Sequence, residues 1–115
     1  MDRVVPAVLA GGAAGAVGRW AIGEFGWSSA TTLLVVNPIG CFVLGIVIAA
    51  LPEREHPIRL ALGVGVCGGL TTFSGLAVDL AVRLDAGNTG GAAAMGVLSL
   101  GLGLIAFLGG RAVSA

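Results

Sequence analysis

Long apolar stretches alternate with short polar connectors along the whole chain. The stretches cover residues 4–23, 30–51, 58–82 and 90–110. Each is close to the ~20 residues that a helix rising about 1.5 Å per residue needs to cross ~30 Å of hydrocarbon. The connectors, residues 24–29, 52–57 and 83–89, carry most of the charges and turn-forming residues. The pattern predicts an all-α protein with four transmembrane helices in a single domain over residues 1–115.

Composition supports a membrane protein. Hydrophobic residues make up 57% of the chain and charged residues only 10%, whereas soluble domains are about a quarter charged. The first stretch has the small residues of a signal peptide, but its length, the lack of a soluble remainder and Arg19 within it favour a retained helix. We therefore expect a multi-pass protein in the cell membrane of a prokaryote.

The arginines are unevenly distributed between the two ends that four spans would create. One end would hold four arginines and the other at most two: Arg3, Arg54, Arg59 and Arg111 against Arg83 and Arg19. This bias weakly favours cytoplasmic termini and leaves insertion in both orientations open.

Glycine is unusually abundant, with 21 of 115 residues. Small residues spaced by four, as at Gly11 and Gly15 or at Gly65 and Gly69, let helices approach closely in lipid. A GC-rich codon bias is the alternative explanation. Four tightly packed helices leave no room for a pore within one subunit, so transport would require a dimer or a larger assembly.

Nothing in the sequence indicates an enzyme. Cys41 and Cys67 lie in different stretches without a metal-binding spacing and are interpreted as packing residues, and His56 as a solvated loop residue. The hydroxyls within the spans have no histidine or carboxylate base nearby in sequence. We also expect no nucleic-acid partner.

Polar residues within the spans are the functional candidates, because they are costly in lipid and usually face a protein or water-filled interior. Arg19 could instead extend to the interface or form an ion pair. Asn37 could bond a backbone carbonyl freed by Pro38. Asp79 could pair with Arg83, four residues on.

The sequence GGLTTFS, residues 68–74, lies in the middle of the third stretch. Glycines weaken a helix, and threonine and serine hydroxyls compete for its backbone hydrogen bonds. We predict a helix broken at mid-membrane, with carbonyls exposed to bind a cation. A continuous helix softened by glycine is the alternative.

Three motifs resemble the Fluc (CrcB) family of fluoride channels. They are GGAAGAVGRW at 11–20, VVNPIGCFVLG at 35–45 and GVCGGLTTFSGLAVD at 65–79. The resemblance covers most of the chain except the fourth span. It implies two subunits inserted antiparallel, two fluoride pathways, and a central structural sodium ion held by backbone carbonyls.

By position, the resemblance implies roles for individual residues. Gly68 and Thr71 match the sodium-coordinating carbonyls, Asn37 and Phe73 the pore asparagine and first pore phenylalanine. The remaining assignments from the resemblance are the hydroxyls Thr72 and Ser74 and the acidic position Asp79. Ser99 lies outside the resemblance and is assigned to the same polar track because it is the only hydroxyl well inside the fourth stretch. Amides, hydroxyls and ring edges suit an anion pathway, because each offers partial positive charge without binding the ion too tightly.

Two positions depart from the family pattern. Leu76 stands where a second phenylalanine is expected, after Gly75 in place of a threonine, and Leu33 stands where the family often has a threonine. These departures favour a subunit that pairs with a different homologous chain. A non-conducting subunit and a small multidrug-resistance-type transporter are the rival functions, although the latter needs a buried glutamate and Glu24 lies outside its span.

Overall fold

The computed structural model describes residues 3–114, which form helices joined by short connectors. α1 (Val4–Gly23) and α2 (Ser29–Ala50) are continuous. α3 covers residues 57–70 and is followed closely by α4 (Phe73–Asp85) and then α5 (Thr89–Ser114). With α3 and α4 taken together as Pro57–Asp85, four helical lengths in residues 3–114 are long and apolar enough to cross a membrane. The predicted all-α, four-span architecture is confirmed.

Local sequence signals set the helix ends at the connectors. Ser28 precedes α2, and its hydroxyl accepts a hydrogen bond from the Thr31 amide at 3.2 Å. Asn88 precedes α5 in the same way, with its Oδ1 accepting from the Gly91 amide at 2.9 Å. Both are side chains that commonly satisfy the free amides of a first helical turn. The connectors therefore turn the chain within a few residues, so that sequential helices run back and forth.

Glycines bring α1 and α3 into backbone contact. A Cβ atom added at Gly11, Gly15, Gly65 or Gly69 would lie less than 3.0 Å from backbone atoms of the opposite helix. The prediction that these glycine pairs permit close helix packing is confirmed. α2 and α5 meet similarly, because Gly45 and Gly110 leave no space for a Cβ atom against the opposite backbone.

α3 is irregular along its length. It begins with an α-helical turn at Pro57–Leu60, continues as a π-helix over Ala61–Cys67 and ends in a short α-helical turn at Gly68–Leu70. π-helical segments are rare and frequently occur near functional sites. α4 then packs on α2 and α5 through a buried cluster of Leu33, Leu76 and Met95.

Candidate functional site

Two threonines in extended conformation separate α3 from α4. Thr71 has φ −82° and ψ 158°, and Thr72 has φ −147° and ψ 114°. The Thr71 hydroxyl donates to the Cys67 carbonyl at 2.9 Å, closing the end of α3. The Thr72 hydroxyl accepts from the Gly75 amide at 3.0 Å, capping the start of α4. The Thr72 hydroxyl thus takes the Gly75 amide that would donate to the Thr71 carbonyl in a continuous helix, whereas the Thr71 hydroxyl adds a second bond to the Cys67 carbonyl, which also accepts from the Thr71 amide at 3.0 Å.

Asn37 of α2 holds this interruption in place. The Thr72 amide donates to Asn37 Oδ1 at 2.8 Å, and Asn37 Nδ2 donates to the Thr72 carbonyl at 3.2 Å. One side-chain amide therefore pairs with both polar groups of an extended backbone residue. Its partner is not a carbonyl beside Pro38, which the sequence allowed as an alternative.

The paired amide of Thr72 leaves carbonyl oxygens free. In a continuous helix the Thr72 N–H would donate to the carbonyl of Gly68, four residues earlier. Here it bonds Asn37, and within residues 3–114 no backbone N–H beyond the interruption donates to the carbonyl of Gly68 or Thr71. Gly68 is exposed, with no atom of another element within 4 Å of its ideal Cβ position. Free carbonyl oxygens can coordinate an alkali cation in place of its hydration water.

A cavity of about 350 Å³ lies beside the interruption and is called here the small cavity. Its polar wall is formed by Asn37, Thr71, Thr72 and Ser99, and Phe73 stands at its edge with 78% of its surface exposed. Ser99 Oγ is buried and has no hydrogen-bond partner among the described residues. An unpartnered buried hydroxyl is costly in a native structure, and a bound water or ion commonly supplies the missing partner.

A second cavity of about 680 Å³, called here the large cavity, lies between α1, α2 and α4. Arg19, Thr72, Ser74 and Asp79 contribute its polar lining. Asp79 Oδ2 accepts from Arg83 Nε at 2.7 Å, so the predicted alternative of an i,i+4 ion pair is confirmed. Arg19 is half-buried and forms no ion pair with any carboxylate in residues 3–114.

Every residue with a site role predicted from the sequence lines at least one of the two cavities. The small cavity collects Asn37, Gly68, Thr71, Thr72, Phe73 and Ser99, and the large cavity collects Arg19, Thr72, Ser74 and Asp79. Thr72 lines both. The small cavity thus brings together an amide, hydroxyls and an aromatic ring, and none of the described residues that line it is a carboxylate.

Cys41 and Cys67 also line the small cavity, although the sequence indicated only packing roles. Each lies four residues from a predicted site residue, Cys41 after Asn37 and Cys67 before Thr71. Residues four apart share a helix face, so this spacing was the signal that could have placed them at the site.

The chain is similar to the CrcB family and to proteins named fluoride-specific ion channels. A family model described as CrcB-like protein, Camphor Resistance (CrcB), matches residues 6–111. The chain is 40% identical to Fluoride-specific ion channel FluC 1 of Mycobacterium bovis, with 90% of this chain and 84% of that protein covered. It is 36% identical to FluC 2 of Corynebacterium jeikeium, covering 92% and 77%. It is 35% identical to FluC of Pseudomonas fluorescens, covering 99% and 98%.

Proposed function

This chain belongs to the CrcB family, and we propose that it is a subunit of a fluoride-selective ion channel through which fluoride leaves the cytoplasm passively. Its relatives are named for fluoride-specific conduction and match it over most of their length. The observation on this chain that best supports the proposal is the buried Ser99 hydroxyl, which has no hydrogen-bond partner in residues 3–114 and lines a cavity together with Asn37 and Phe73.

The chemistry of the small cavity suits a small, strongly hydrated anion. Removing water from such an ion costs on the order of tens of kcal/mol in an apolar medium, so the protein has to supply replacement contacts. The hydroxyl of Ser99 has a proton to donate and, among the described residues, no acceptor for it. The positive edge of the Phe73 ring adds a weak contact. Because neither group carries a full charge, the ion can bind and still leave.

The two cavities together suggest the course of the pathway. Arg19, in the large cavity, offers positive charge without a carboxylate partner within the described residues. Such a charge raises the local concentration of anions. Thr72 belongs to both cavities, so fluoride would pass from the large cavity along Thr72 and Ser74 to the small one.

We place the interruption between α3 and α4 at mid-membrane depth and assign a structural sodium ion to it. Non-helical backbone at that depth is tolerated only where protein or a cavity surrounds it. The carbonyls of Gly68 and Thr71 would hold the ion, and the absence of backbone donors to them within the described part of the chain fits such a role. A bound cation supplies a fixed positive field beside the anion pathway.

The exposed position of Gly68 supports an antiparallel dimer. Its carbonyl and the exposed Phe73 ring would face lipid in a single chain, whereas a second subunit packed on this surface would enclose both. The partner is a second copy or a paired homologous chain. The numbered names of two relatives, FluC 1 and FluC 2, agree with paired chains.

Leu76 gives the paired form specific support. Its side chain is 6% exposed and packs with Leu33 and Met95, so this chain has an aliphatic cluster where the family pattern has a ring and a hydroxyl. A homodimer would carry this cluster in every pathway. A heterodimer could keep one pathway complete, which makes a partner-dependent subunit the second candidate function.

Growth of cells that lack fluoride export tests the proposal. Expression of this chain, alone or with a paired homologue, should restore growth in fluoride, because passive efflux keeps the internal concentration down. Growth restored only with the homologue would support the partner-dependent form. Failure of both, with the chain present in the membrane, would contradict the proposed function.

A further inference from the structure

Two free thiols line the small cavity from different helices. Cys41, on α2, is half-buried, and Cys67, at the end of the π-helix, is 4% exposed. The turn of α2 that carries Cys41 abuts Cys67, since an ideal Cβ atom on Gly40 would lie 3.7 Å from the Cys67 carbonyl oxygen. These are the two cysteines of the chain, and fluoride passage as proposed above uses neither.

The cavity also has room and an unmet polar group. Its volume is about 350 Å³, and the Ser99 hydroxyl that faces it is unpartnered among residues 3–114. We propose that Cys41 and Cys67 together bind one divalent thiophilic cation in the small cavity, with mercuric ion as the simplest member of that class.

Charge balance selects a divalent ion. A metal-bound cysteine is a thiolate, so binding releases one proton from each thiol. A mercuric ion with two thiolates is therefore a neutral complex plus two released protons. A monovalent silver or cuprous ion with the same two thiolates would leave one net negative charge inside a membrane-spanning segment, where charge is costly.

Ligand number excludes zinc as the preferred ion. Zinc in structural sites takes four ligands from cysteine, histidine or carboxylates. No group of three or more such residues is assembled in the part of the chain that the structure describes. Soft thiolate ligands together with a coordination number of two match mercuric ion.

Native mass spectrometry of the purified chain in detergent tests the site without any transport measurement. The wild-type chain should take up one mercury per chain with loss of two hydrogens, and bound mercury should protect both cysteines from alkylation. Cys41→Ser and Cys67→Ser should each weaken binding by more than the roughly 10–100-fold that loss of a supporting outer-shell group costs. Circular dichroism melting would verify that the variants are folded, and Cys41→Ala and Cys67→Ala would replace any that are not.

Three results would overturn the proposal: no mercury bound, two mercury ions per wild-type chain, or one ion held with unchanged affinity by either single variant. Zinc chloride serves as the control ion and should leave both cysteines open to alkylation. Because these readouts do not involve fluoride, a chain that binds mercury but carries no fluoride would contradict only the proposed function. If both proposals hold, mercury should block fluoride flux in the wild type and not in the Cys41→Ser, Cys67→Ser double variant.

Discussion

Asn37→Asp tests two roles of Asn37 through two different measurements. Protein stability reports on its hydrogen bonds to Thr72, and fluoride flux reports on its contact with the ion. In this chain the Thr72 amide donates to Asn37 Oδ1 at 2.8 Å, and Asn37 Nδ2 donates to the Thr72 carbonyl at 3.2 Å. The aspartate keeps an oxygen that can accept from the Thr72 amide but has no Nδ2 group to donate to the carbonyl. An ionised carboxylate has no proton to donate, so that carbonyl would face a negative oxygen. The variant therefore adds one negative charge at the wall of the small cavity.

Both consequences have a calculable size. Leaving the partly buried carbonyl without its donor should cost about 1–3 kcal/mol of folding free energy. For the ion, two unit charges ~4 Å apart repel by about 1 kcal/mol in water and about 4 kcal/mol at an effective dielectric constant of ~20. Since about 1.4 kcal/mol is a factor of ten, this range is roughly fivefold to almost a thousandfold. We expect fluoride flux to fall at least tenfold, because the site is partly buried.

Fluoride efflux from liposomes, measured with a fluoride electrode, gives the flux, and thermal unfolding in detergent gives the stability. Asn88→Asp is the matched control: it makes the same change at an exposed helix cap, where aspartate caps as well as asparagine. That control should change neither quantity. Wild-type flux in a folded Asn37→Asp variant would refute a pathway role and leave Asn37 with only its bonds to Thr72.

Three further predictions use other parts of the molecule. Ser99→Ala should lower fluoride flux without loss of stability, because its hydroxyl has no partner within residues 3–114; equal flux would contradict a pathway role. Gly15→Ala should disrupt the packing of α1 on α3 and lower the melting temperature, because its Cβ atom would clash with the backbone of α3. Gly90→Ala should leave the melting temperature unchanged, because nothing lies within 4 Å of the added Cβ atom. Leu76→Phe should lower the free energy of unfolding by about 1–3 kcal/mol, because the larger ring overpacks the cluster with Leu33 and Met95. Adding Leu33→Thr should recover part of that stability, whereas strictly additive losses would show that the two positions are independent.

Span number and placement could be predicted from the sequence because apolar length alone decides whether a helix crosses a bilayer. The predicted bounds differ from Ser29–Ala50, Pro57–Asp85 and Thr89–Ser114 by only a few residues. The glycine contacts between α1 and α3 followed from spacing as well. The π-helix over Ala61–Cys67 could not be foreseen, because it depends on how α3 fits against its neighbours rather than on local propensity.

The candidate site was predictable residue by residue but not in its connections. Asn37 and Thr72 lie 35 positions apart, and nothing in either neighbourhood indicates that an amide would pair with both polar groups of one threonine. Likewise, Leu33 and Leu76 departed from the family pattern separately, and only packing reveals that they touch the same cluster. Long-range contacts of this kind depend on the register between helices.

Selective fluoride efflux is the most direct test of channel function. The purified chain would be reconstituted into liposomes, together with a paired homologue where the chain alone is inactive. The liposomes would be loaded with equal concentrations of potassium fluoride and potassium chloride, and a potassium ionophore would let potassium leave to balance the charge of the released anions. Rapid release of fluoride with chloride retained is the predicted result. Chloride release at a comparable rate, or retention of both ions by liposomes that contain folded protein, would contradict a fluoride-selective channel.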